Sequence, residues 1–145
     1  GRRVLDLFAG TGQLGLEALS RGAEHCTFVD QRREAAALVR ENVKLCRFGD
    51  RARVAQEEAL SFLSVCREKF DVVFLDPPYQ SGLLEKSLEQ LTQFDILREY
   101  GIIVCESGAE WALPPMAFPY EPGREYRYGQ IKLTVCRRAG SVRQQ

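Results

Sequence analysis

The chain has 145 residues, 45% of them hydrophobic and 28% charged, with a formal net charge of zero. That is the composition of an ordinary globular domain with enough material to bury a core. No apolar run approaches the roughly 20 residues that a membrane-spanning helix needs, and no signal-peptide pattern opens the chain. The charge is unevenly spread. Residues 124–145 carry six bases against one acid, a surplus of five, and the preceding residues carry the matching deficit. A basic terminal segment of this kind can face a polyanion.

In chain order, residues 3–8 (RVLDLF) form an apolar run that ends in glycine-rich sequence, a first strand. Residues 13–21 have helical spacing through Leu14 and Ala18, and residues 24–30 (EHCTFVD) read as a second strand. A long helix follows with Ala35, Leu38, Val39, Asn42, Val43 and Cys46 on one stripe and Gly49 as its stop. Residues 51–55 are a third strand, and 57–67 a helix with Leu60, Leu63 and Val65 inward. Residues 70–75 (FDVVFL) are near-continuously apolar, as a strand covered on both faces should be. A helix over 81–93, a fifth strand over 101–106 (GIIVCE) and a proline-rich loop over 114–123 come next. Residues 124–137 read as two strands pivoting near Gly129.

Strands alternating with helices predict a doubly wound α/β, Rossmann-like sheet of seven strands, mostly parallel, closed by an antiparallel C-terminal hairpin. One domain over 1–138 and a tail over 139–145 are expected. The five cysteines (Cys26, Cys46, Cys66, Cys105, Cys136) include no C-x-x-C pair and read as reduced, buried thiols, with no metal site. His25 stands alone and reads as a strand-edge or surface residue. The abrupt start at Gly1 raises the expectation of a further N-terminal segment that helps to hold substrate.

Ligands of such sheets bind beyond the carboxyl ends of the strands. Gly10, Asp30, Glu58 and Asp76 all fall on that rim. Gly10-Thr11-Gly12-Gln13-Leu14-Gly15 is a literal G-x-G-x-x-G with Asp30 about 20 residues on, so a nicotinamide or flavin oxidoreductase is one reading. Asp6 argues against it, because a carboxylate close to the glycines repels a diphosphate and welcomes an ammonium. S-adenosylmethionine has an amine, a sulfonium and a ribose but no phosphate. Asp30 can accept from both ribose hydroxyls, and Glu58, with Glu57 as competitor, from the adenine amine.

The stretches VLDLFAGTGQLGLEALSRGA, VD and FDVVFLDPPY, with YRYG near the end, resemble the class I methyltransferases and, more narrowly, the RsmD-like family of bacterial 16S ribosomal RNA guanine-N2 methyltransferases. Thr11 and Gln13 depart from the smaller residues usual there, and Glu58 stands where that family has Asp. The resemblance implies S-adenosylmethionine held by Asp6, Phe8, Ala9, Gly10, Thr11, Gly12, Asp30, Gln31, Glu58, Ala59 and Asp76. It further implies a monomer in the bacterial cytoplasm, acting on ribosomal RNA within a small-subunit assembly particle.

Asp76-Pro77-Pro78-Tyr79 then carries the chemistry. The lone pair of an exocyclic amine is delocalised into its ring. Acceptors from Asp76 and the Pro77 carbonyl would favour pyramidalisation and free that lone pair. The proline pair fixes the loop in advance. Tyr79 offers a stacking face for a flipped base, and Arg124, Arg127 and Lys132 are candidates for the RNA backbone. Adenine N6 methylation uses the same loop and is the nearest alternative; an RNA-binding module without catalysis is another.

Overall fold

The computed structural model describes residues 1–140; Arg143 and the end of the expected tail lie outside the described residues. Its elements are β1 (Arg3–Leu7), α1 (Gln13–Ser20), β2 (His25–Val29), α2 (Arg33–Leu45), β3 (Ala52–Ala55), α3 (Ala59–Val65), β4 (Phe70–Leu75), α4 (Leu83–Gln93), β5 (Leu97–Gly108), β6 (Tyr120–Tyr128) and β7 (Ile131–Arg138). The seven strands form one sheet in the order β3-β2-β1-β4-β5-β7-β6. The first five are parallel to their neighbours, and β7 runs antiparallel between β5 and β6. The order reverses between β1 and β4, which opens a crevice beyond their carboxyl ends.

Alternation along the strands divides the core into two layers. Leu5, Leu7, Val73 and Leu75 face α3 and α4, where Phe62, Leu63, Leu84, Leu88 and Leu91 cover them. Val4, Cys26 and Phe28 face α1 and α2 and meet Leu19, Val39 and Val43. Asp6 falls on this second face, so a carboxylate is carried under the first helix.

Several expectations about helix faces are corrected. Leu14 and Leu38 are 43% and 40% exposed, and Val65 is 72% exposed. The buried stripe of α1 is Gly15 and Leu19, because this helix presses its glycine onto β2. In α2, Ala36 is buried beside Ala35, Val39 and Val43. In α3 the inward residues are Ala59, Phe62 and Leu63, the i, i+3, i+4 set of a two-turn helix. Gly49 does not stop α2. Arg47 adopts φ 60°, and Phe48 N–H closes back on the Val43 carbonyl at 3.0 Å. Cys26, Cys105 and Cys136 are buried thiols, whereas Cys46 is exposed and Cys66 half-buried. Residues 120–123 belong to β6 and not to the preceding loop; a register shift between Pro122 and Glu125 admits the proline to an edge strand.

Candidate active site

The crevice begins with the glycine loop. Gly10 and Gly12 take φ 59° and 81°, left-handed conformations that suit residues without a side chain. Gly15 is needed for a different reason: a Cβ there would lie 2.3 Å from the Phe28 ring and 2.7 Å from Cys26 Sγ. Asp6 locks this approach, since Gly15 N–H donates to its Oδ2 at 3.0 Å. Burial pushes the Asp6 carboxyl up to about 7, opposed by the Gly15 bond and reinforced by the charges of Asp76 and Asp30. Phe8 leaves β1 with φ 67°, a strained conformation for an aromatic residue and one that clusters at functional sites.

Asp30 stands at the end of β2 and organises the next wall. Its Oδ2 accepts from Gly10 N–H at 3.0 Å and from the Arg32 guanidinium at 3.1 Å; its Oδ1 accepts from the Arg32 backbone N–H at 2.9 Å. Despite the desolvation, these bonds hold the carboxyl below its usual range. The guanidinium comes within 3.9 Å of where a Cβ on Gly10 would lie, and Arg32 lines a cavity of about 360 Å³. Phe8, Asp30, Gln31, Arg32, Glu57, Glu58, Ala59, Asp76, Pro77 and Pro78 line that cavity. Glu58 caps α3, its Oε2 accepting from Ser61 N–H at 2.7 Å, so Glu57 and Glu58 both reach the cavity but only Glu58 holds a helix. The other expected cofactor residues, Asp6, Ala9, Gly10, Thr11 and Gly12, are not in the lining of that cavity.

A second cavity, about 440 Å³, opens on the other side of Asp76-Pro77-Pro78. Its walls come from β4, α4, β5 and the β6–β7 turn, including Tyr79, Glu85, Glu106, Gly108, Glu110, Trp111 and Gln130. Tyr79 is 66% exposed but not loose. Its hydroxyl donates to Glu110 Oε1 at 3.2 Å, and its ring lies so close over Gly108 that a Cβ there would meet Cε2 at 2.8 Å. Trp111 donates from Nε1 to Glu85 Oε1 at 2.6 Å. Ser81 holds the loop exit, donating to the Pro78 carbonyl at 2.7 Å and accepting from Leu83 N–H at 3.2 Å.

Glu106, which the sequence reading passed over, is brought beside Asp76 by strand register. Leu75 pairs with Cys105, so the next residue of each parallel strand projects at the same level. Burial, then the neighbouring Glu106 carboxylate, which accepts from the protonated acid and repels the ionised one, push Asp76 up to about 7. The signal was present in the sequence, because Glu106 ends an apolar run just as Asp30 and Asp76 do. Glu85, Glu110 and Trp111 had no such signal.

The basic surface is smaller than composition implied. Arg124 and Arg127 are exposed, but Lys132 is 4% exposed, donates to the Trp111 carbonyl and pairs with Glu125 at 3.7 Å. Its expected place among exposed RNA-facing cations is corrected: on β7 it points inward, and its charge is met there. Arg138 is likewise buried, forming a bidentate pair with Asp95 at 2.7 and 2.8 Å.

A family model described as conserved hypothetical protein 95 matches residues 1–137. The chain belongs to that family, the RsmD-like methyltransferases. It is 36% identical over 136 residues to ribosomal RNA small subunit methyltransferase D of Escherichia coli, covering 94% of this chain and 68% of the relative. A Bacillus subtilis relative, YlbH, named provisionally as an rRNA methyltransferase, is 37% identical over 143 residues, covering 97% of this chain and 78% of its own. A Streptococcus pyogenes structure, described as a conserved hypothetical protein, superposes with a TM-score of 0.88 at 34% identity, covering 99% of this chain and 89% of that one.

Proposed function

We propose that this chain transfers a methyl group from S-adenosylmethionine to the exocyclic N2 amine of a guanine in small-subunit ribosomal RNA. In this reading it works as a monomer in the bacterial cytoplasm, on a subunit still being assembled. The observation that carries the proposal is the pair of cavities that share Asp76-Pro77-Pro78 as a common wall, one suited to a nucleoside cation and the other to a planar base.

The first cavity fits S-adenosylmethionine by its donor set. Asp30, Glu57, Glu58 and Asp76 line it, Arg32 is its only base among the described residues, and that guanidinium is already paired with Asp30. A dinucleotide would bring a diphosphate to the buried Asp6 and this acidic rim, and the repulsion disfavours the oxidoreductase reading. Asp30 would hold the ribose hydroxyls once Arg32 swings aside, and Asp6 lies where an ammonium would lower its pKa. When bound, S-adenosylmethionine supplies an electrophilic methyl on a sulfonium.

The second cavity fits a base without its phosphate. Glu85, Glu106 and Glu110 line it with Asp76, and among the described residues no Lys or Arg does, so a phosphate is repelled while an amine-bearing edge is welcomed. Tyr79, fixed by Glu110 and Gly108, presents one free face for stacking, and Trp111 forms a further wall. Asp76 accepts from the N2 amine and can take its proton. Ser81 occupies the Pro78 carbonyl, which leaves the Pro77 carbonyl as the second acceptor. Arg124 and Arg127 on β6 are the cations available to the flanking RNA backbone.

The test is methyl transfer from labelled S-adenosylmethionine to small-subunit particles, with the product nucleosides resolved by mass spectrometry. Label is expected in N2-methylguanosine, and Asp76→Ala should slow its appearance by about 10²–10⁴-fold, the scale of a positioned acid–base group. Label in N6-methyladenosine would replace this proposal with the adenine reading.

A further inference from the structure

Three bases carry an exocyclic amine, and the chemistry assigned to Asp76 would serve any of them. Guanine differs from adenine and cytosine in the ring atom beside that amine. In guanine it is N1–H, a donor; in adenine N1 and cytosine N3 it is a lone pair, an acceptor. A site that places two acceptors side by side matches guanine and leaves the other two with one lone pair against another.

The structure holds such a pair. Asp76 follows Leu75 at the end of β4, and Glu106 follows Cys105 within β5, two residues before its end; Leu75 and Cys105 are register partners in neighbouring parallel strands. Both carboxyls line the 440 Å³ cavity, side by side next to that strand pair. Tyr79 follows within the same loop, with its ring held over Gly108, two residues beyond Glu106 on β5. A base stacked on Tyr79 would share one cavity with both carboxyls, which are then available to its amine-bearing edge.

We propose that Glu106 is the specificity-determining residue of the site, accepting the N1–H of guanine while Asp76 accepts from the N2 amine. This rests on the guanine-N2 reading above and deepens it. Glu106 carries no part of the methyl transfer. It selects the base by leaving adenine and cytosine with an unanswered lone pair facing a carboxylate, and a buried polar mismatch is among the strongest bases for discrimination.

The experiment uses three short single-stranded RNA oligonucleotides identical except at one position, which carries guanosine, inosine or 2-aminopurine riboside. Inosine keeps N1–H and lacks the amine; 2-aminopurine keeps the amine and has a lone pair at N1. Binding is measured by fluorescence anisotropy at fixed salt with S-adenosylhomocysteine saturating. Wild type is expected to prefer guanosine over 2-aminopurine by about 10–100-fold, the range of a hydrogen bond to a charged group. In Glu106→Gln the side-chain amide can turn a donor to N1, so that preference should fall to within about threefold, and guanosine and inosine should weaken together. Glu106→Asp, which keeps a carboxylate one methylene further back, should weaken guanosine binding but keep guanosine ahead of 2-aminopurine.

Unchanged S-adenosylhomocysteine affinity shows that each variant is folded; if Glu106→Gln fails that check, the Asp variant decides by its ranking. A Glu106→Gln variant that discriminates as wild type does, or an Asp variant that loses the ranking, overturns the role of Glu106 while N2-methylguanosine formation by wild type still stands. A wild type that binds none of the three, or does not prefer guanosine, contradicts this inference, and the absence of N2-methylguanosine in the earlier assay marks the failure of the reading beneath it.

Discussion

The two cavities share one wall and are otherwise built differently. The one assigned to the cofactor is drawn from strand ends and from turns close to them in sequence. Backbone N–H groups hold its acids in place, Gly10 on Asp30 and Ser61 on Glu58, as Gly15 holds the buried Asp6 beneath the glycine loop. The one assigned to the base is assembled from β4, α4, β5 and a hairpin turn, and side chains hold its parts: Tyr79 on Glu110, Trp111 on Glu85, Asp76 beside Glu106. A pocket held by backbone is tied to the fold itself. A pocket held by side chains can change its preference by single substitutions without disturbing the sheet.

The contrast is sharpest at Gly15. Gly15→Ala drives a Cβ into Phe28 and Cys26 in the core, and overpacking of this kind destabilises by about 1–3 kcal/mol. Gly49→Ala is the control, because a Cβ there meets nothing within 4 Å and its φ is ordinary. Urea midpoints should fall for the first and stay within error for the second; equal midpoints would break the claim that the glycine loop is locked by packing.

The next effect is on pH dependence. Asp6 has its pKa raised in the fold, so its contribution to stability is complete below the unfolded value near 4 and is lost as pH rises through about 7. Asp95 has the opposite sign: Arg138, as a hydrogen-bond partner, holds it well below the usual carboxylate range, so its contribution is present above pH 4 and fades as acid is added. Stability should therefore decline from about pH 4 to pH 7, with Asp76, also raised to about 7, adding to the loss from Asp6. Asp6→Asn should flatten that decline by up to about 4 kcal/mol, the scale of a shift of roughly three units. A decline equally steep in the variant, read from chemical denaturation at several pH values, would show that Asp6 is not the titrating group.

This difference also decides what could be read from the sequence. The alternation of strands and helices, the terminal hairpin and the rim acids Asp30 and Asp76 follow from apolar runs ending in Gly or Asp, signals contained in a few consecutive residues. Leu14, Leu38 and Val65 were misplaced because short helices on a sheet are turned by close contacts, such as Gly15 on Phe28, that periodicity does not record. Lys132 was counted as surface charge because composition cannot show that one face of an edge hairpin turns inward toward the Trp111 carbonyl. Glu106 and Trp111 belong to the side-chain-held cavity, where the partners lie far apart in the chain and only strand register brings them together.

The account's central claim is that the two cavities divide the work at Asp76-Pro78, and a crossed pair of variants tests it most directly. Calorimetry with S-adenosylhomocysteine and anisotropy with a guanosine-containing RNA oligonucleotide are run at fixed salt on Asp30→Ala and Tyr79→Ala. Asp30→Ala should weaken S-adenosylhomocysteine by about 1–3 kcal/mol and leave RNA affinity unchanged. Tyr79→Ala should weaken RNA by about 1–3 kcal/mol, the worth of a base–aromatic stack, and leave S-adenosylhomocysteine unchanged. Loss of both ligands in both variants, or of the wrong ligand in either, would contradict the division.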